Sequence, residues 1–368
     1  MISDKEGFLC PEVDTEYCDN CGACRRVCPI VQLRSTDDAF ATEVYACWNK
    51  DEDIRFQSAS GGAFSALAQH VLSCGGVVFG AAFDEDMRVK HVAVHRKEEL
   101  WKLRSTKYVQ SDVGLSYQVV RELLQKERKV LFTGTPCQVA AISALLGKEH
   151  GNLFLCDIIC KGVPSPGLFA KYVKQLETYY GAKLININVR HKLIDWEFPS
   201  SVALFDDGQK RVLKGPSDSF MNGYRNYYTL RTCCYNCPFA SVSRFGDITL
   251  ADFWGIGDLA PFQHSTRNGV SLILVNTDKG RRLVKSSSDR LYLEERTLAE
   301  AKNKQPHMAK SLRKPKTRDG FFADYQMLEY EALARKHLVD KGAKGLVKRV
   351  VPRTWIFYMQ KSIKRIRG

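Results

Sequence analysis

The spacing of apolar residues changes several times along the chain, and each change marks an element. VYACWN, after Glu43, is a short apolar run bounded by polar residues and predicts a strand. SASGGAFSALAQHVLSCGG predicts a Gly-rich entry into a helix that ends at Gly75-Gly76. GVVFGAAFDEDMRVKHVAVHR predicts two strands folded around a polar turn at Asp84–Asp86. EELWKL starts a further helical stretch, and RSTKYVQSD reads as a loop. From Ser116, SYQVVRELLQKER has helical spacing, and KVLFTGTPCQVAAISALLGKE predicts strand, tight turn and helix. NLFLCDIICKG is a buried strand and SPGLFAKYVKQLETYYG a helix. LININVRHK, SSVALFDDGQKRVL and FGDITLADFWG add strands, the second bent at Asp207-Gly208, and VSLILVNTDKGRRLVK adds a strand and a helix. This alternation predicts an α/β fold with α+β elements on a mostly parallel sheet.

The two ends read differently. Residues 1–35 are Cys-rich and poor in apolar runs, like a small unit held by metal instead of by a core. After Lys302 the chain becomes basic and irregular. The expected organisation is a ferredoxin-type module at 1–35, subdomains at 43–115 and 116–300, and a basic helical tail at 301–368. In WIFYMQKSIKRIRG, Ile356, Met359, Ile363 and Ile366 share one helical face and Lys361, Lys364, Arg365 and Arg367 lie elsewhere. That pattern suits a terminal helix packed on the body or an interfacial helix on anionic lipid.

Composition adds limits. The chain has 368 residues, enough for two or three compact units, and globular fractions of hydrophobic (44%) and charged (26%) residues. Lys and Arg exceed Asp and Glu by 14, but residues 301–368 hold 18 basic against 5 acidic, leaving 37 against 36 in the body. A nucleic-acid footprint would put the excess on the body, so nucleic acid is not an expected partner. No run approaches the ~20 apolar residues of a membrane span. MISDKEGFLCPEVD lacks the basic start and apolar stretch of a secretory signal. The expected location is cytoplasmic, with the tail as a peripheral contact to the inner membrane face.

Thirteen cysteines in a reducing compartment point to metal binding or catalysis. Cys18, Cys21, Cys24, Cys28 and Pro29 form C-x2-C-x2-C-x3-C-P, the bacterial ferredoxin run for a [4Fe–4S] cluster. Thiolates two residues apart wrap one corner of a cube, and Gly22 leaves room for the backbone. Zinc also accepts four thiolates, but it is normally held by two separated Cys pairs. In two-cluster ferredoxins the fourth Cys serves the other cluster, so Cys28 closes this cluster or serves another, and a partner run lies upstream of Met1 or is absent. Cys10 is a substitute ligand or a bystander.

A second group is dispersed. Cys137 sits where a predicted strand turns into a helix, a place that stabilises a thiolate. Cys160 follows another predicted strand, and Cys233, Cys234 and Cys237 form C-C-x2-C. These are placed to converge on one site, although isolated buried Cys residues are also common. Cys47, Cys74 and Cys156 lie in apolar stretches and are expected in the core. His91, His95 and His191 are candidate proton donors, though a lone His is more often a surface or core residue.

CDNCGACRRVCP, SASGGAFSAL, STKYVQS, GTPCQVAAI, LCDIICKGVPSP, RTCCYNCPFA and DITLADFWG, in that order, resemble the beta subunits of coenzyme F-420 hydrogenase and dehydrogenase. The resemblance implies an iron–sulfur flavoprotein that passes electrons between a reduced donor (coenzyme F-420, a pyridine nucleotide or ferredoxin), FAD and [4Fe–4S] clusters. It implies a second cluster on Cys137, Cys160, Cys234 and Cys237, with Cys233 outside it. It implies a flavin held by Ser60, Gly61 and Gly62 at a helix start, where free N–H groups suit a pyrophosphate. Ser105, Lys107 and Tyr108 would line the same pocket, with Lys107 supplying charge and Tyr108 a stacking face, and Thr133, Gly134 and Thr135 would approach the isoalloxazine. Ala251 departs from the family's usual Gly, so Asp247 and Asp252 are read as turn and cap residues. The expected function is a flavin-dependent reductase or dehydrogenase with an unidentified acceptor, the basic tail being compatible with surface-polysaccharide metabolism. The alternatives are an electron-transfer subunit docking to a partner enzyme and a zinc-stabilised interaction protein.

Overall fold

The computed structural model describes residues 1–31, 42–147 and 149–339. Their centre is an eight-stranded sheet built from β1 (Glu43–Asn49), β2 (Val77–Phe83), β3 (Val89–Val94), β4 (Val130–Gly134), β5 (Leu153–Ile158), β9 (Ile248–Asp252), β10 (Ser271–Val275) and β11 (Leu291–Arg296). A separate antiparallel sheet holds β6 (Leu184–Asp195), β7 (Phe198–Phe205) and β8 (Lys210–Leu213), the last two turning at Asp207-Gly208. The strand order of the large sheet is β11-β1-β10-β9-β5-β4-β2-β3.

The expectation of a mostly parallel sheet is corrected here. Only β9-β5, β5-β4 and β4-β2 pair in parallel, and the remaining four pairs are antiparallel. Two local causes account for it. The tight turn at Asp84 folds β3 back on β2, and β10 returns directly beside β9 without a crossover helix. Strands from 43–115 and from 116–300 are interleaved in this one sheet, since β1 lies between β10 and β11 and β2 lies beside β4.

Alternation sends side chains to both faces. Val78, Leu131, Ile248 and Ile273 pack under α1 (Ala63–Ser73) and α5 (Asp278–Ser286). Val77, Phe79, Val130 and Phe132 pack under α2 (Ser116–Gln125) and α3 (Pro136–Leu146). Helix starts follow their sequence signals. Pro136 occupies the first turn of α3 behind a Thr135–Gln138 capping box. Ser165 caps α4 (Pro166–Tyr180) by accepting from the Leu168 N–H at 3.2 Å.

The segment after Lys302, which reads as irregular, is ordered through Val339 and shares a core with α4 and the small sheet. Phe321 and Phe322 of α6 (Arg318–Met327), together with Tyr330, Leu333 and Leu338, are buried there with Phe8, Leu168 and Phe205. The amphipathic stretch at 356–366 lies outside the described residues. Among the described residues no helix is long and apolar enough to cross a membrane.

Candidate functional site

The parallel strands β4, β5 and β9 end together, and a cavity of about 410 Å3 opens at their carboxyl ends. This is where open α/β sheets bind ligands, and the volume lies within the range of small-molecule sites. Eight of the nine residues expected around a flavin line it: Ser60, Gly62, Ser105, Lys107, Tyr108, Thr133, Gly134 and Thr135. Gly61 packs against the sheet instead. A Cβ there would stand 2.4 Å from the Cys47 carbonyl and 2.7 Å from the Ser271 nitrogen.

Gly62 is the left-handed N-cap of α1, with φ 87° and no side-chain cap, so the first N–H groups of the helix have no intrahelical partner. Lys107 is half-buried, and its ammonium donates to the Lys102 and Arg104 carbonyls at 2.7 and 2.9 Å. Burial pulls its pKa down to about 7. Its charge is therefore engaged with the main chain. Tyr108 stacks on Tyr224 with centroids 4.2 Å apart. Thr133 donates from Oγ1 to the Phe79 carbonyl at 2.8 Å, and its own carbonyl accepts from His91 Nε2 at 3.0 Å.

Sequence reasoning missed a polar group in the cavity lining. Arg190 of β6 is buried and donates to Asp252 Oδ1 at 2.8 Å, with its guanidinium 5.2 Å from the Trp254 ring centroid. Trp196 donates to the same carboxylate oxygen at 2.6 Å and stacks on Trp254 at 4.7 Å. Asp252 is thus a cavity residue, not a simple cap. Asp247 is structural: it accepts from the Leu155 N–H and from Thr277 Oγ1, both at 2.7 Å. His91 and Lys161 also line the cavity, whereas His95 and His191 do not. Lys161 lines the cavity together with Arg104, Lys107, Arg190 and Arg225. The one signal in the sequence was the ADFWG stretch. Nothing local to β6 singles out Arg190.

Cys160 belongs to the cavity lining and to a cysteine group. It follows β5 and accepts from the Gly162 N–H at 3.3 Å. A Cβ at Gly162 would meet the Cys234 Cβ at 2.9 Å, so only glycine lets these two turns approach. Cys137 lies in the first turn of α3, 3.2 Å from Thr135 Oγ1. As thiolates these cysteines would repel one another. Cys137 feels Cys237 and Cys233, Cys160 feels Cys137 and Cys237, and Cys234 feels Cys233 and Cys160.

Burial raises the pKa of Cys137, Cys160 (to about 12) and Cys237, while the hydrogen bond between Cys233 and Cys234 raises Cys234 and lowers Cys233 to about 6. Cys137 is exposed and Cys160, Cys234 and Cys237 are half-buried, and thiols whose pKa is raised in this way suit a guest whose own positive charge makes them thiolates. Among the described residues no three His, Cys, Asp or Glu side chains converge on a single metal ion. Arg244, buried against Asp157 at 2.8 Å and donating to the Ile158 carbonyl at 2.9 Å, fixes the strand end that leads into Cys160.

The ferredoxin run lies on the surface, with Cys18, Cys21 and Cys24 exposed and Cys28 half-buried. Left-handed Asn20 (φ 56°) and Gly22 (φ 69°) coil the backbone ahead of a short helix at Ala23–Arg26, and Asp19 Oδ1 accepts from the Cys21 N–H at 3.1 Å. Cys10 is half-buried, with Arg231 Nη2 3.3 Å from its sulfur. Cys47 and Cys156 are core residues, but Cys74 is exposed because it caps the end of α1.

Residues 11–33 match the 4Fe-4S binding domain. Residues 44–115 match the N-terminal domain of the coenzyme F420 hydrogenase/dehydrogenase beta subunit, and residues 127–301 match its C terminus. A solved chain of the F420-reducing [NiFe] hydrogenase complex from Methanosarcina barkeri is 16% identical, with a TM-score of 0.47 over 82% of this chain and 94% of that one. No curated protein matches. Both beta-subunit domains are present in order and contribute strands to one sheet, with the cysteine-bearing strand ends at its carboxyl edge; the chain belongs to the coenzyme F420 hydrogenase/dehydrogenase beta subunit family.

Proposed function

We propose that the chain is an iron–sulfur flavoprotein oxidoreductase. Its cavity holds FAD, and its electrons pass through a [4Fe–4S] cluster on Cys137, Cys160, Cys234 and Cys237 to or from a second one on Cys18, Cys21, Cys24 and Cys28. The observation that carries this reading is the double membership of Cys160, whose residue borders both the cavity and the cysteine group. A bound flavin supplies the exchange between hydride and single-electron chemistry, and the clusters supply one-electron steps. The protein supplies placement. Peptide N–H groups at the start of α1 would hold the phosphates, the Tyr108–Tyr224 pair would offer a flat wall, and the buried Arg190–Asp252 pair would add fixed charge to the lining.

The reduced donor is drawn from coenzyme F420, a pyridine nucleotide or ferredoxin, and the acceptor is a small molecule or partner protein, with surface-polysaccharide metabolism as the setting suggested by the tail. Exposure of the ferredoxin run favours a partner protein at that end, since a cluster there is within reach of another molecule. Anaerobic reconstitution followed by iron, sulfide and flavin counts per chain tests the reading. It expects two clusters and one flavin. Clusters without flavin would leave an electron-transfer subunit, and a colourless zinc protein would end the proposal.

A further inference from the structure

Lys192 lies on β6, behind the cavity wall and 4% exposed. Its ammonium donates to three main-chain carbonyls, those of Arg55 at 2.6 Å, Ser60 at 2.5 Å and Asn268 at 2.6 Å. Burial, with Arg55 nearby, pushes its pKa down to about 7. Placing an ammonium among carbonyls in the interior is costly, and a hydrophobic side chain of similar length would fill the same space. The bonds therefore call for a reason beyond packing.

The loop they grip supplies it. The Ala59 carbonyl accepts from Arg190 at 3.5 Å and the Ser60 carbonyl from Lys192. The Gly61 carbonyl accepts from the Asn49 N–H at 2.8 Å, and the Gly62 carbonyl from Asn49 Nδ2 at 3.5 Å. Four consecutive carbonyls are thus each held by a donor. A trans peptide points its N–H opposite to its C=O, so pinning these carbonyls turns the N–H groups of Ser60, Gly61, Gly62 and Ala63 the other way. Those of Ser60, Gly61 and Gly62 have no protein acceptor among the described residues, and Ser60, Gly62 and Ala63 line the cavity. On the far side the loop is backed by Gly269 (φ 87°), where a Cβ would stand 2.7 Å from the Ser60 carbonyl carbon.

We propose that Lys192 is a positioning residue for the anion-binding loop of the cavity, holding the carbonyls of Arg55 and Ser60 away so that the peptide N–H groups of Ser60, Gly62 and Ala63 receive the pyrophosphate of a dinucleotide. The proposal rests on the flavin reading above and adds to it the residue that shapes the phosphate seat. Lys192 itself touches no ligand.

The test uses the full-length, anaerobically reconstituted protein and three probes: FAD, riboflavin and ADP. Riboflavin has the ring without phosphate, and ADP has the pyrophosphate without the flavin. Lys192→Met is expected to weaken FAD and ADP by roughly tenfold or more, the loss of one or two peptide hydrogen bonds to a charged group, while riboflavin affinity stays within about twofold. Lys192→Arg, which keeps donors for the carbonyls, is expected to restore most of the FAD affinity. Equal weakening of FAD and riboflavin, or unchanged FAD and ADP affinity, overturns the positioning role. Should Lys192→Met fail to fold, Gly269→Ala displaces the same loop from behind and is held to the same FAD-selective loss. If the wild type binds ADP but neither flavin, the flavin reading falls while the Lys192 comparison is still decided by ADP. If it binds none of the three, both fall.

Discussion

Arg318 donates through both arms of its guanidinium to Glu6, at 2.9 and 2.5 Å, across 312 residues of sequence. The Arg318 side chain is 1% exposed, donates also to the Leu230 carbonyl, and lies 4.4 Å from the Phe322 ring centroid. It joins the segment that precedes the ferredoxin run to the loop that leads into Cys233 and Cys234. Arg318 is buried and Glu6 half-buried, so breaking the pair costs at most the ~3–5 kcal/mol of a fully buried one. Arg318→Met is expected to lower the denaturant midpoint by that order, and the Arg318→Met/Glu6→Gln double variant to lose less than the two single losses combined. Strict additivity would show that the pair carries no coupling.

The two cysteine groups are expected to hold separate iron. Cys21→Ser should remove about half of the reconstituted iron and Cys234→Ser the other half, with both together leaving a colourless chain. Iron assays and low-temperature spectra of the reduced variants check this. Depletion of one shared pool by either substitution means a single cluster.

His91 is buried against Phe132, with centroids 5.3 Å apart, and donates from Nε2 to the Thr133 carbonyl. Burial pushes its pKa down to about 4 from an ordinary 6.5, with Asp112 the charged group that pulls the other way. Between those values the unfolded chain binds a proton that the folded chain refuses, so stability falls as pH drops through that window, by on the order of 3 kcal/mol. His91→Gln keeps a donor for Thr133 and removes the titration. Its unfolding free energy should decline less between pH 7 and pH 4 than that of the wild type. Parallel curves would place the acid sensitivity elsewhere.

Much of this was legible in the sequence. The strand ends at Thr133–Gly134 and before Cys160 could be read because apolar runs stop there at Gly, Pro and Cys, and chemistry sits at such stops. Arg190 and Lys192 could not, and Asp252 stood out only as part of ADFWG, because their roles arise only when β6 lies across the loop after β1. The segment from 306 to 338 reads as irregular because Phe321, Phe322 and Tyr330 are spaced by charges. Arg318 is among those charges, and only its burial with Glu6 reveals it as part of the core.

Residues 343–368 carry the remaining expectation. Deleting them should leave iron and flavin content unchanged and reduce sedimentation with anionic vesicles, each Lys or Arg near such a surface being worth about 1 kcal/mol. Undiminished sedimentation would dispose of the membrane contact.

The place of β1 in the sheet sets a timetable for synthesis. Both of its neighbours, β10 and β11, emerge from the ribosome long after it. Until they do, Gly61 has no Ser271 to lean on and the loop no Asn268 or Gly269 behind it. A nascent chain therefore displays its N-terminal cysteines early, while the pocket takes shape only once residues 268–296 have emerged, so iron can be delivered to one end before the other is able to accept a cofactor.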